Sequence, residues 1–564
     1  MLMRIVSAAL LSLSLAACAT VARRDADPTP FATGMVSAAD PRAAAAGIEM
    51  LRQGGSATDA AIATMLALTV VEPQSSGIGG GGFYVRGSAD GSVETIDGRE
   101  TAPAAATPGW FLGPDGKPIA FRQAVESGLS TGVPGNVALA SEAHARHGKL
   151  AWARLFDPAI RLARDGWTLS ERGRASLNRA KSTGARDKAG RALFYDAAGD
   201  ALPVGTRITN PALANTLDRI AKGGARAFYA GEAASQLAET VAFDTPASDG
   251  MTARDVANYQ AKWREPVCGT YRVYRICGMG PPSSGATTVL AILGQLERFD
   301  LSQMRADSPV FWHVFAESQR IAYADRERFL ADPDFATVPV AQLVAKDYLA
   351  RRGALIQTGS TMASVAPGLD APPDGAEPPE QGTSHFVAID GAGNAVSYTS
   401  TIEGPFGSGL MHDGYYLNNE LTDFSFTPAA DGRPVANRVE GGKRPRSSMA
   451  PTLVYGKDGR LVLAIGAAGG GTIPVQVAKG IIAYVDWGLS IEQALAVPVL
   501  YAPGDTVTVE KGTALEALIP ALKALGHAKV AAYDLPLKAN AIAVTPTGLA
   551  GAGDPRSEGV AIVQ

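Results

Sequence analysis

The sequence predicts an α/β protein in which each half of the chain mixes strands with helices. Three observations carry this expectation. Ala-rich helical stretches fill residues 35–72. Residues 384–390 (SHFVAID) and 395–402 (AVSYTSTI) alternate apolar with polar positions around a GAGN turn and read as a β-hairpin. Helical patterns then return at 474–486 and 514–525, among strand-like runs at GYYLNN, TLVYG, RLVLAIG and TVTVE. No internal repeat is present.

At 564 residues the chain can bury several domains' worth of core. A net charge of −4 gives no electrostatic reason to expect nucleic acid as a partner. Gly is abundant, at 63 residues, with no collagen period, so the excess belongs to tight turns and backbone-lined sites.

The first element is MLMRIVSAALLSLSLAACATVARR. Arg4 supplies positive charge, and the apolar run 5–17 is too short to span a bilayer comfortably, which fits a signal-peptide core. Leu15-Ala16-Ala17-Cys18 resembles the bacterial lipobox, in which the Cys is lipidated and becomes the first mature residue. Residues 1–17 are therefore expected to be a lipoprotein signal and 18–34 a polar tether. The implied location is the periplasm, with a lipid anchor in a bacterial membrane.

Two helices separated by Gly54-Gly55 come next, followed by SSGIGGGGFYVRG. Its glycine spacing matches the dinucleotide fingerprint. That motif needs a strand before and a helix after, and here the order is reversed. The glycines are read instead as a place of close backbone approach. ETIDGRE forms a strand with Arg99 at its end, and helices dominate roughly 130–265. In EPVCGTYRVYRICGMG, Cys268 and Cys277 flank a turn. An exported protein meets oxidising conditions, so they can form a disulfide across a hairpin or stay as separate thiols. Alone they make a poor metal site. MGPPSSGATTVLAIL gives a turn capping a buried helix. FWHVFAESQRIAYADRERFL is a further helix, whose Arg and Asp residues read as structural ion pairs. Residues 356–380, rich in Pro, Gly and acid, read as a mobile, cuttable segment.

Two familiar catalytic signatures are absent: no His-Glu-x-x-His and no Ser-x-x-Lys. His144 and His147 read as a solvated helix face rather than metal ligands. What stands out is EPPEQGTSHFVAID, where an acidic, Pro-rich tract stops at Gly382-Thr383 and a strand begins at once. An internal Thr lacks a base. Scission of Gly382–Thr383 would supply one, because a free α-amino group has a pKa of about 7.7–8.0. Attack of the Thr383 hydroxyl on the Gly382 carbonyl achieves that scission, and Gly382 keeps side-chain bulk off the carbonyl.

Several segments taken together give this chain a family resemblance. SAADPRAAAAGIEMLRQGGSATDAAIA, EPQSSGIGGGGF, DGRETAP, GPPSSGATT, GTSHFVAIDGAGNAVSYTSTI, FGSGLM, LNNELTDFS, GKRPRSSMAPTLV, IGAAGGGTI and GAGDPRSEG occur in one order. From about residue 35 to the end, the chain resembles the γ-glutamyltranspeptidases, or glutathione hydrolases, of the N-terminal nucleophile superfamily. The resemblance implies a four-layer αββα sandwich. It also implies one precursor cut into interleaved subunits, 35–382 with any tether and 383–564, that form a heterodimer. Thr383 would be the nucleophile, and Thr401 would hydrogen-bond near it. A simple hairpin register pairs Thr401 with Ser384 and a one-residue shift pairs it with Thr383. Thr399 is the neighbouring candidate. Arg99, Ser447 and Ser448 would hold the α-carboxylate of the donor, and Glu420 and Asp423 its ammonium. Gly469 and Gly470 would form the oxyanion hole. No cofactor or metal is implied. The partners are a γ-glutamyl donor such as glutathione and water or an amino-acid acceptor.

Two departures from the family pattern matter. Glu403 stands where many members have Asn, adding a carboxylate near the ammonium pocket. The stretch between Asp423 and Ser447 looks shorter than a typical lid and lacks the aromatic residue some lids carry. These features favour hydrolysis over transpeptidation. They also keep open a cephalosporin- or glutaryl-type acylase, or a poly-γ-glutamate-processing relative. An uncleaved γ-glutamyl-binding lipoprotein is the non-enzymatic alternative.

Overall fold

The computed structural model describes residues 31–246, 250–370, 372 and 382–564. The predicted signal segment and Cys18 lie outside the described residues, as do residues 371 and 373–380 of the predicted cuttable tract.

Two antiparallel sheets form the centre. Their strands are, in chain order, β1 (Met35–Ala38), β2 (Gly81–Gly87), β3 (Val93–Gly98), β4 (Lys262–Arg264), β5 (Val267–Tyr271), β6 (Tyr274–Gly278), β7 (Ser384–Ile389), β8 (Ala395–Thr401), β9 (Thr452–Tyr455), β10 (Leu461–Ala468), β11 (Lys538–Thr545), β12 (Gly548–Gly553) and β13 (Val560–Val563). The first sheet runs β13-β1-β7-β8-β2-β3-β4 and the second β12-β11-β10-β9-β6-β5. Each sheet combines strands from before and after residue 382. β1 pairs with β7 from Phe386 to Ile389 and with β13 on its other edge.

Helices cover both outer faces. α1 (Pro41–Arg52) starts at the Asp40 cap with Pro41 in its first turn, and α2 (Ala57–Val71) starts with a Ser56–Asp59 capping box. They pack closely, as the Ala-rich sequence predicts, and α2 is buried along its whole length between the sheet and outer helices. On the opposite side α3 (Gly285–Leu296), α4 (Pro309–Phe329) and α5 (Ile473–Val485) cover the second sheet. Alternation along β7 separates the layers. Phe386 and Ala388 join the α1–α2 core, while Val387 and Ile389 join the core shared with the second sheet. The result is the expected αββα stack.

The glycine run also behaves as predicted. A Cβ on Gly80 would sit 2.0 Å from the Thr401 carbonyl, so only glycine lets this turn pass beneath β8. Cys268 and Cys277 oppose each other on β5 and β6 and are joined as a disulfide. Among the described residues no helix is long and apolar enough to cross a membrane, and no cluster of three or more His, Cys, Asp or Glu is arranged to hold a metal ion.

Candidate active site

Thr383 stands at the mouth of β7. The turn after this strand is fixed by Asp390, whose carboxylate accepts from the N–H groups of Ala392 and Asn394. That turn sets the register, placing Ser384 opposite Ser400 and His385 opposite Thr399. The simple register, with Thr401 against Ser384, is therefore one residue out. Thr401 comes level with Thr383 instead, with 3.4 Å between the two hydroxyl oxygens.

Here the chain is continuous through 382–383. The Gly382 carbonyl accepts from the Thr401 hydroxyl at 3.2 Å and also from the Thr383 hydroxyl. The Thr401 oxygen in turn accepts from the Glu403 N–H at 2.8 Å, which aims the Thr401 proton at the carbonyl. A Cβ on Gly382 would meet the Glu403 carbonyl at 2.1 Å, so this approach requires glycine. Glu403 itself sits in the left-handed region, at φ 69°, and accepts through its carboxylate from Asn419.

His385 shares a strand face with Thr383 and is the obvious rival as its base. Burial pushes its imidazole down to about 3. Its Nδ1 is 2.9 Å from the Thr399 hydroxyl, and its ring packs over Gly466. Thr399 is thus engaged inside the core and does not line the cavity, whereas Thr401 does. On the other face the Ser384 hydroxyl donates to Glu72 at 2.6 Å, and Glu72 pairs with Lys538 at 2.9 Å. Burial opposes the Glu72 charge, but Lys538, Arg172 and the Ser384 hydroxyl together offset it and hold the carboxyl below its ordinary value.

Arg99 follows β3 and is 1% exposed. Its guanidinium donates to both Glu420 and Asp423, to the Arg446 carbonyl at 2.7 Å and to the Pro445 carbonyl at 3.2 Å. The two acids share one short helical turn, Glu420–Asp423. Glu100, next in the chain, is fully buried. Its carboxyl is pushed up to about 8, first by burial and then by Asp423, with Arg99 opposing.

A small, partly open pocket joins these parts. It is lined by Arg99, Gly382, Thr383, Thr401, Glu403, Glu420, Asp423, Ser447, Met449, Gly470 and Ile473. Ser448 is buried one residue beyond Ser447, and Gly469 lies behind Gly470 at the end of β10; neither lines the cavity. Met449 and Ile473 escaped the sequence reading because an apolar side chain carries no chemical signal of its own. They provide apolar walls for methylene groups. The arrangement can hold a small zwitterion at one end and expose a carbonyl carbon to a threonine hydroxyl at the other.

A family model described as Gamma-glutamyltranspeptidase matches residues 43–564. The glutathione hydrolase proenzyme of Escherichia coli (strain K12) is 36% identical over 547 residues, covering 94% of this chain and 91% of that one. The glutathione hydrolase proenzyme of Bacillus subtilis (strain 168) is 37% identical over 491 residues, covering 83% and 80%. Among solved structures, a cephalosporin acylase from Bacillus halodurans superposes with a TM-score of 0.81 at 27% identity, covering 94% of this chain and 96% of that one.

Proposed function

The chain belongs to the gamma-glutamyltranspeptidase family, and from that premise we propose which residues carry its chemistry. It is an autoprocessed γ-glutamyl hydrolase/transferase. Thr383 is its nucleophile. In the precursor, the Thr383 oxygen adds to the Gly382 carbonyl while Thr401 steadies the developing oxyanion. The C–N bond breaks, the hydroxyl proton passes to the departing nitrogen, and water cleaves the resulting ester. The large piece ends at Gly382 and the small piece is 383–564.

In the mature enzyme the new α-amine takes the Thr383 hydroxyl proton as the oxygen attacks the γ-carbonyl of glutathione. That proton goes to the leaving amine, and a γ-glutamyl ester remains. Water, activated by the same amine, resolves it, or an acceptor amine does so. Gly469 and Gly470 serve the oxyanion through their N–H groups. Arg99, Ser447 and Ser448 bind the α-carboxylate, and Glu420, Asp423 and Glu403 surround the ammonium.

The observation that carries the donor assignment is the Arg99–Glu420–Asp423 ion-pair cluster. One Arg99 guanidinium pairs with both acids, so the trio keeps one negative charge for a ligand's cation to balance. A γ-glutamyl group brings both an α-carboxylate and an α-ammonium and exchanges one set of pairs for another. A glutaryl group brings only the carboxylate and would leave buried acids uncompensated, which is costly. This weighs against the acylase reading that the Bacillus halodurans neighbour raises. Turnover of γ-glutamyl-p-nitroanilide against glutaryl-p-nitroanilide tests it, and faster glutaryl turnover would reverse the assignment.

Hydrolysis is favoured over transpeptidation. Phe424 and Phe426 turn into a separate cluster with Phe111, where the Phe111 and Phe426 rings stack at 4.2 Å, so they give the cavity no aromatic cover. Export, lipidation at Cys18 and a periplasmic location complete the proposal. Mass spectrometry of the purified protein reads the cut, the lipid and the disulfide in one measurement.

A further inference from the structure

We propose that Arg326, on α4, is a positioning residue for the α-carboxylate subsite. It holds the Ser448 hydroxyl in donor orientation and, through Ser284, fixes the main chain of Ser447. This rests on the substrate reading above.

α4 was expected to use its charges for structural ion pairs, and Arg320 does so with Glu317 and Asp505. Arg326 pairs with Glu327 and in addition reaches two serines. It is 4% exposed; its Nη2 donates to the Ser448 hydroxyl at 2.6 Å and its Nε to the Ser284 hydroxyl at 2.9 Å. Ser284 belongs to the PPSSG turn that precedes α3. That turn is zipped to the SSM segment by a series of hydrogen bonds. The Ser447 N–H donates to Pro282 at 3.0 Å, the Ser284 N–H and hydroxyl donate to the Ser447 carbonyl at 2.7 and 2.8 Å, and the Ser283 hydroxyl donates to Met449 at 2.7 Å. Two motifs more than 160 residues apart in sequence thus form one unit, and a single guanidinium braces it from behind. Arg446 locks the brace by donating to the Arg326 carbonyl at 2.7 Å, and Glu327 bonds both guanidinium groups.

A serine hydroxyl has one proton and two acceptor lone pairs. Left alone it has no preferred role. Accepting from a guanidinium directs its own proton elsewhere and, through the adjacent charge, strengthens it as a donor. A carboxylate can only accept, so this is the polarity its subsite needs. The fork geometry is essential, because Nε and Nη2 reach different serines. Lysine is a point charge without that fork.

The test uses mature, cleaved enzyme and two anilides: γ-glutamyl-p-nitroanilide, and 4-aminobutyryl-p-nitroanilide, which keeps the ammonium and lacks the α-carboxylate. Arg326→Lys and Arg326→Met should raise KM for the γ-glutamyl substrate by about tenfold or more, as expected for loss of hydrogen bonding to a charged group. kcat should change by less than about threefold, and kcat/KM for the 4-aminobutyryl substrate should hold within about twofold. In a Ser448→Ala background, Arg326→Lys should add little. Equal losses with both substrates, or no loss with either, would overturn the proposal. If neither Arg326 variant yields cleaved protein, Ser284→Ala carries the same comparison, with a smaller selective rise in KM expected and an unselective one counting against. Arg99→Lys is the control: if it too ignores the α-carboxylate, the substrate reading fails; if it alone is selective, only the Arg326 inference fails.

Discussion

The two ends of the cavity solve different problems. The nucleophile end is built from hydroxyls and main-chain groups: Thr383, Thr401, the Gly382 carbonyl and the Glu403 N–H. His385 does not serve it as a base, since it is sealed into the core beside Thr399. The recognition end is dense in charge, with Arg99, Glu420 and Asp423 already paired before any ligand arrives. On the proposed chemistry, one end gains its reactive group from a chain cleavage, and the other is complete from the moment of folding. Changes at the first should therefore register in rate and processing, and changes at the second in substrate affinity.

The sharpest attempt to break this division is Thr383→Ala. It should leave a single chain on a denaturing gel and lower kcat by about 10⁴-fold or more. A fully active variant, or wild-type material whose small piece does not begin Thr-Ser-His-Phe, would refute the nucleophile end. Gly469→Ala comes next. Gly469 has φ 125°, and a Cβ there would lie 1.9 Å from the Pro536 carbonyl, so the loop must move. A loss of roughly 10²–10³ in kcat is expected, the cost of one oxyanion donor; an unchanged kcat would remove this loop from the oxyanion site. At the other end, Arg99→Lys keeps the charge and loses the fork. KM for glutathione should rise by about 10- to 100-fold with a smaller effect on kcat, and an unaltered KM would take Arg99 out of the site.

Two finer measurements sharpen the boundary. Glu403 touches both ends, through its N–H to Thr401 and its carboxylate to Asn419. Glu403→Asn should shift the ratio of transpeptidation to hydrolysis upward, with KM moving by at most about fivefold. Glu100 gives the smallest effect. Its folded pKa of about 8 stands above the ordinary 4.5, so the folded state holds a proton that the unfolded state releases. The stabilisation is full below pH 4.5 and is lost as pH rises towards 8. Glu100→Gln should therefore gain in Tm relative to wild type as pH climbs across that window. A constant difference would mean that no proton is stored there.

The sequence made the layered α/β texture readable because strand and helix periods alternate so plainly on each side of Thr383. It also exposed the proposed nucleophile, since a Gly-Thr junction at the start of an alternating strand is a local feature. The register of the β7–β8 hairpin was harder: the Asp390 side chain, rather than loop length, decides it. That one-residue difference separates Thr401, which meets the nucleophile, from Thr399, which serves His385. Arg326 and Ser284 were hidden for another reason. Each looks ordinary in its own segment, one a helix charge and the other a turn serine. Their role appears only when distant turns are brought together. Glu100 was hidden by burial, which no neighbouring residue announces.

β1 comes from before residue 382 and is hydrogen-bonded to β7, which begins just after it; β13, from the far end of the chain, closes over the other edge of β1. Once the peptide is severed, neither fragment owns a complete layer. Separating them would strip strands from the middle of both sheets and expose the shared core, so dissociation amounts to unfolding. The uncut polypeptide therefore acts as a template for its own assembly. Synthesising the halves apart and mixing them would forfeit the low-entropy path by which a continuous chain threads its ends into one another.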